Sequence, residues 1–312
     1  MKYGLLSGML WALDTIFLGI ALSLVLPEEK LLHVVWLIPV AGAFLHDLFS
    51  SVWLLVITLI RKKITRLKET IFTPNGCAII LAACLGGPIG MTGYVLAIKY
   101  IGPGYTACIS AFYPAFGAIL SRILLKDRLT PLQYFSFLIA LCGVMGMGYL
   151  SCVNSVVINS TLGLICALVC VIGWGSEAVL GSYAMRHKYI DNQIALQIRN
   201  AISALVYAML VIPLLGIEEL IFCGFRPSNY VFIMFCAAIG TVSYIFYYKA
   251  IEMMGASRAM ALNISYSAWA LVFSVLILDY SPNKYEFLCC LLIILGVIFS
   301  SHSLRELRVL TK

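Results

Sequence analysis

The sequence predicts an all-α polytopic membrane protein: ten transmembrane helices arranged as two inverted five-helix repeats, with both termini cytoplasmic. Three observations predict it. Of 312 residues, 62% are hydrophobic and 11% charged, whereas soluble domains carry about 25% charged residues. Apolar runs of spanning length recur from one end of the chain to the other. Lys and Arg gather on alternate connections between those runs.

The first apolar run, 4–26, is long enough to span and has no small-residue cleavage site. It reads as a retained helix rather than a signal peptide. Further runs fall near 34–60, 77–98, 104–125, 132–151, 162–183, 192–215, 230–250, 256–278 and 285–303. With the N-terminus inside, inner segments carry Lys2, Arg61, Lys62, Lys63, Arg66, Lys68, Arg122, Lys126, Arg128, Arg186, Lys188, Lys249, Arg258, Arg305, Arg308 and Lys312. Outer segments carry Lys30, Lys99, Arg226 and Lys284. Sixteen against four puts both ends inside and requires an even helix count. The remaining base, Arg199, falls within a helix.

Inside the third run, Gly86-Gly87-Pro88-Ile89-Gly90 predicts a kink or unwound stretch. Gly4-x-x-x-Gly8 and Gly86-x-x-x-Gly90 allow close helix contact. Trp36 and Trp53 read as packing or interfacial residues. The eleven cysteines, Cys77 to Cys290, lie mostly within apolar runs without paired spacing, so no metal, redox group or cofactor is expected. The net charge of +7 resides at helix ends, which does not point to nucleic acid. No His-rich metal motif, nucleophile elbow or aspartate-rich motif favours an enzyme, and no recurring charge ring or selectivity loop favours a channel.

Shifting the chain by 153 residues lays much of its first half on its second. Gly87 falls on Gly240, Tyr94 on Tyr247, Ala97-Ile98 on Ala250-Ile251, Gly102 on Gly255, Tyr113 on Tyr266 and Ser50 on Ser203. His46-Asp47 falls on Arg199-Asn200. For the first helix the shift is 163, and Trp11-x-x-Asp14 falls on Trp174-x-x-Glu177; the difference fits an insertion between Pro27 and Pro39. The repeats are therefore 1–155 and 156–312. Five helices each is an odd number, so the second copy enters the membrane inverted. That is an architecture of secondary transporters with a substrate site near the midplane.

Three carboxylates lie within predicted helices: Asp14, Asp47 and Glu177. Arg199 and, by titration, His46 are the bases among them. An ionised carboxylate at the bilayer centre costs roughly 2.5–3.5 kcal/mol, so such residues need a partner, water or a cationic guest. Arg199 suits an ion pair with Asp47 or Glu177 that holds the halves in register. Asp14 and Glu177 also suit ion coupling, and His46 suits either proton transfer or a backbone hydrogen bond. Trp11 precedes Asp14, and Trp174 precedes Glu177, by three residues, which places each pair on one helix face. Tyr113 lies beside Pro114, Tyr247 in the eighth run, and Asn263, Tyr266 and Trp269 form a stripe at i, i+3, i+6. Aromatic faces beside carboxylates make a box for an organic cation, above all a quaternary ammonium that cannot donate hydrogen bonds.

Ala97-x-x-Tyr100, Pro114, Leu125-Lys126-Asp127, Gln133 and Leu138-Ile139-x-x-x-Gly143-Val144 resemble the EamA-type repeat of the drug/metabolite transporter superfamily, which has Glu where Asp127 stands. A narrower resemblance is to the LicB-type bacterial choline permeases. It rests on His46-Asp47, Gly87-Pro-Ile-Gly-Met91, Ile98-Lys-Tyr-Ile-Gly102, Tyr113-Pro114, Cys166-Ala-Leu-Val-Cys170, Trp174-Gly-Ser-Glu177, Ile198-Arg199 and Asn263-x-Ser265-Tyr266-x-x-Trp269. This resemblance implies a multi-pass protein of the bacterial cell membrane. It also implies a choline-like cation caged by Trp11, Trp174, Tyr113, Tyr247 and Tyr266, with charge from Glu177 and Asp47. Asp14 departs from the small neutral residue expected there. Within the broader family the alternative is export of amino acids or other small metabolites, with Arg199 facing a substrate carboxylate. The expected assembly is a monomer or homodimer.

Overall fold

The computed structural model describes residues 2–25, 29–127, 129–150, 152, 157–187 and 189–301. Arg128, Lys188, Arg305, Arg308 and Lys312, counted above for orientation, lie outside the described residues, as does Pro27.

Among the described residues the fold is all helical. Its helices are α1 (Lys2–Ser23), α2 (Ile38–Ile60), α3 (Ile64–Ile71), α4 (Pro74–Cys84), α5 (Thr92–Ser110), α6 (Tyr113–Leu124), α7 (Pro131–Leu150) and α8 (Ser160–Met185). There follow α9 (Asn192–Val206), α10 (Ile212–Leu215), α11 (Glu218–Cys223), α12 (Pro227–Met254), α13 (Ala256–Asn263), α14 (Tyr266–Leu278) and α15 (Lys284–Ser301). Eight continuous helical stretches among the described residues are long and apolar enough to cross a membrane. The protein is a multi-pass membrane protein. α6 is a shorter apolar helix, and the 18-residue α15 packs along α7.

Polar caps start several helices. Thr73, Asn159 and Asp191 each accept a backbone N–H at 3.0 Å, opening α4, α8 and α9. Where the sequence predicts a kink, Leu85–Met91 forms a π-helical turn between α4 and α5. A wider turn accommodates Pro88, which lacks a backbone donor. A second π-helical turn, Tyr207–Val211, joins α9 to α10.

The boundary expected between the third and fourth runs falls at Gly102, where two helical stretches of α5 meet across a kink at φ 79° and ψ 164°. A further interruption comes at Ala111 and Phe112, before Pro114 opens α6. Tyr113 therefore begins a helix rather than lying mid-helix. The second half repeats these details 153 residues on. Gly255 has φ 84° and ψ 161°, and the chain breaks again at Ile264 and Ser265, before Tyr266. Lys126 and Asp279, also 153 apart, both adopt positive φ, at 57° and 51°.

The helices that frame the centre are α1, α2, α8, α9 and α12. α1 packs against α12 and α14, α8 against α4, α5 and α6, and α2 against α9 and α12. Gly4 and Gly8 let α1 approach Leu262 and the backbone of Asn263 and Tyr266.

Candidate substrate site

Two adjoining cavities lie at the centre of this frame. The first, about 160 Å³, is lined by Trp11, Tyr94, Tyr113, Trp174, Tyr244, Tyr247 and Tyr266, with Asn263, Glu177, Thr15, Met91 and Ala178 completing the wall. Trp174 lies edge-on to Tyr113, with ring centroids 5.8 Å apart, and tilted against Tyr94 at 5.2 Å. Trp11 meets Tyr244 at 5.0 Å and Tyr266 at 6.4 Å. Six of the seven rings form three couples related by the sequence shifts: Trp11 with Trp174, Tyr94 with Tyr247, and Tyr113 with Tyr266. Tyr113 and Tyr266 each stand at the first residue after an interruption.

The second cavity, about 140 Å³, shares Trp11, Thr15, Met91, Trp174 and Tyr244 with the first, and adds Asp14, His46, Asp47, Gly86, Gly87 and Arg199. Asp14, His46, Asp47, Glu177 and Arg199 are only 3–8% exposed. Arg199 is the hub. Its Nε donates to Glu177 Oε1 at 2.8 Å and one terminal nitrogen to Glu177 Oε2 at 3.2 Å. The other terminal nitrogen donates to Asp47 at 2.9 and 3.0 Å and to Asn200 Oδ1 at 3.0 Å. The last donor points to Tyr244 Oη at 3.5 Å, and the guanidinium lies 5.1 Å from that ring's centroid. Tyr248 donates to Glu177 Oε1 at 3.2 Å, and Ser203 donates to Asp47 Oδ2. A guanidinium has five N–H donors, and all five are spent within the protein.

Asp14 takes a different partner. His46 Nε2 lies 3.1 and 3.3 Å from its two carboxylate oxygens. Of the two roles the sequence left to His46, the backbone bond gives way at Nε2 to a side-chain partner from α1. Two carboxylates pair with the guanidinium and a third with His46. Counted formally with three ionised acids, the cluster is negative whether or not His46 is protonated.

The glycines of the π-helical turn make this crowding possible. A Cβ on Gly86 would collide with the Glu177 carboxylate, and one on Gly87 with the Ser203 hydroxyl. Gly240 likewise leaves space for His46 and Asp14.

Most residues singled out in the sequence thus converge. Trp269 does not: it stacks on Phe273, with centroids 6.1 Å apart, and lines neither cavity. It follows Tyr266 by one turn on the same α14, and there its ring packs along that helix on Phe273 instead of entering the cavity. Tyr94 and Tyr244 were missed as wall residues. Tyr94 had a signal, since it falls on Tyr247 in the 153-residue shift.

The fold and cavity are those of a polytopic membrane protein with a buried, charged and aromatic centre, and comparison with known proteins says which kind. The model of the EamA-like transporter family matches residues 1–149 and 161–302, and the chain belongs to that family. It is similar to Protein LicB of Haemophilus influenzae (strain ATCC 51907 / DSM 11121 / KW20 / Rd), with 32% identity over 297 residues and 95% of each chain covered. A solved crystal structure of a protein 16% identical to it superposes with a TM-score of 0.71 over 98% of both chains, which shows a shared fold.

Proposed function

We propose that this transporter imports choline or a related quaternary ammonium compound across the bacterial cytoplasmic membrane by alternating access of two inverted five-helix halves. The observation that carries the reading is the seven-ring cavity set against a net-negative cluster. A quaternary ammonium cannot donate hydrogen bonds, so ring faces and nearby carboxylates are the recognition available to it. Each desolvated cation–π contact contributes about 2 kcal/mol or more. Two or three such contacts support micromolar binding after the costs of association.

The ten-helix, two-halved reading, with both termini cytoplasmic, draws support from the paired backbone details at Gly102 and Gly255 and from the ring couples 153 or 163 residues apart. Under it the part of α5 beyond the Gly102 kink together with α6 makes the fourth span and α15 the tenth, and the halves meet around the aromatic cavity. The membrane potential drives import: one charge moved through 100 mV is worth about 2.3 kcal/mol, roughly fifty-fold accumulation. Amino-acid export fits the site less well, because no donor of Arg199 remains for a substrate carboxylate.

Tryptophan fluorescence of the purified protein tests the reading. Choline at micromolar to low millimolar concentration is expected to change the emission saturably, and Trp174→Ala to move the half-saturation point to roughly thirtyfold higher choline. An unaltered wild-type spectrum at millimolar choline would reject it.

A further inference from the structure

We propose that the cavity around Asp14 and His46 is a second subsite, which reads the tail of an onium substrate whose head occupies the aromatic cavity. It favours a tail bearing a hydroxyl donor and rejects a tail bearing a carboxylate. This rests on the onium reading of the aromatic cavity and adds a selectivity to it.

The walls of the two cavities are continuous through Trp11, Thr15, Met91, Trp174 and Tyr244. Asp14 stands one helical turn beyond Trp11 on α1. A substrate held by the rings therefore has a short path to the Asp14 carboxylate. What the second cavity offers that tail is unequal. The cationic donors are engaged: all five of Arg199 go to Glu177, Asp47, Asn200 and Tyr244, and His46 Nε2 is directed at Asp14. Acceptors are in surplus. An ionised carboxylate has about four lone-pair sites, and among the described residues the hydrogen-bond partner of Asp14 is His46 alone. A hydroxyl tail finds an acceptor already oriented by His46. A carboxylate tail finds the Arg199 guanidinium already engaged and faces Asp14 and Asp47, whose repulsion is stronger in a buried site than in water.

The test is competition against radiolabelled choline on purified protein by four compounds sharing a trimethylammonium head: choline, tetramethylammonium, ethyltrimethylammonium and glycine betaine. Ethyltrimethylammonium lacks only the hydroxyl and is expected to bind roughly tenfold more weakly than choline. Glycine betaine is expected to be weaker again, by at least a further tenfold. Asp14→Asn removes the charge and supplies an N–H, and should narrow the gap between glycine betaine and choline roughly tenfold. If ethyltrimethylammonium and glycine betaine match choline on the wild-type protein, the subsite is overturned, and this arm stands even if the variant fails to fold. A folded Asp14→Asn protein whose betaine-to-choline ratio stays within about twofold of wild type would overturn it as well. If neither choline nor tetramethylammonium binds the wild type, the onium reading itself fails.

Discussion

Replacing Arg199 by methionine removes the cation at the centre of the cluster while keeping an unbranched apolar stem. Glu177 loses bonds of 2.8 and 3.2 Å, and Asp47 loses bonds of 2.9 and 3.0 Å. Tyr248 still donates to Glu177 and Ser203 to Asp47, but no charge balances either acid. Removing one partner of a buried ion pair costs about 3–5 kcal/mol. Two acids lose the same partner here, so the upper end, about 5 kcal/mol, is expected. Arg199→Lys should fall between, because one ammonium cannot reproduce a fork that reaches two carboxylates at once. The triple variant Arg199→Met, Asp47→Leu, Glu177→Leu should recover most of the loss, since apolar replacement of a whole buried triad is often neutral or stabilising. Reversible unfolding in mixed micelles, followed by tryptophan fluorescence, measures all three. A single Arg199→Met variant within about 1 kcal/mol of wild type, or a triple variant no more stable than the single, would refute the reasoning.

Two further outcomes are expected. Gly102 and Gly255 occupy backbone conformations with φ near 80° and ψ near 160° that are essentially reserved for glycine. Gly102→Ala and Gly255→Ala should each destabilise by about 1–3 kcal/mol, whereas Gly181→Ala, whose Cβ would meet only ordinary contact with Tyr248 at 3.6 Å, should not. Melting temperatures of the three variants check this. Asp191 caps α9 and pairs with Lys63. Burial opposes its ionisation, but Lys63 and the amides of Ile194 and Gln193 outweigh burial and hold the carboxyl below the usual 3.8. A carboxyl depressed in the folded state stabilises it above the unfolded value of about 3.9, and that contribution disappears as pH falls through the folded value. Stability of Asp191→Asn should therefore fall less steeply below about pH 4 than wild type; equal slopes would contradict the assignment.

Much of this architecture is legible in the sequence because a bilayer admits few solutions. Apolar length gives spans, and the 153-residue shift anticipates which residues share a backbone conformation, as Gly102 and Gly255 do. The same shift also held Tyr94, which resembled one more small coincidence until its ring met Trp174 at 5.2 Å. Trp269 misled for a local reason. It shares α14 with Tyr266, but spacing does not say where along a helix a cavity ends, and one turn beyond Tyr266 the indole stacks on Phe273. The pairing of charges lies further from reach. That Arg199 bridges Asp47 and Glu177 at once, leaving Asp14 to His46, depends on how α1, α2, α8 and α9 rotate against one another. Composition and period fix which residues are apolar, not the rotation of one buried helix against the next. The role of Gly86 and Gly87 was half visible: the motif announces a distorted helix, but the space those glycines leave for Glu177 and Ser203 emerges only from packing.

The central claim is that ring faces, assisted by a negative cluster, hold a quaternary ammonium in transit. Uptake of radiolabelled choline into proteoliposomes with an inside-negative potential, comparing wild type with Trp174→Ala, tests it most directly. Saturable accumulation that collapses when the potential is dissipated is expected for the wild type. Loss of one desolvated cation–π contact of about 2 kcal/mol should weaken apparent affinity in the variant roughly thirtyfold. No saturable choline uptake by the wild type at millimolar concentration, or equal uptake by the two proteins, would contradict the claim.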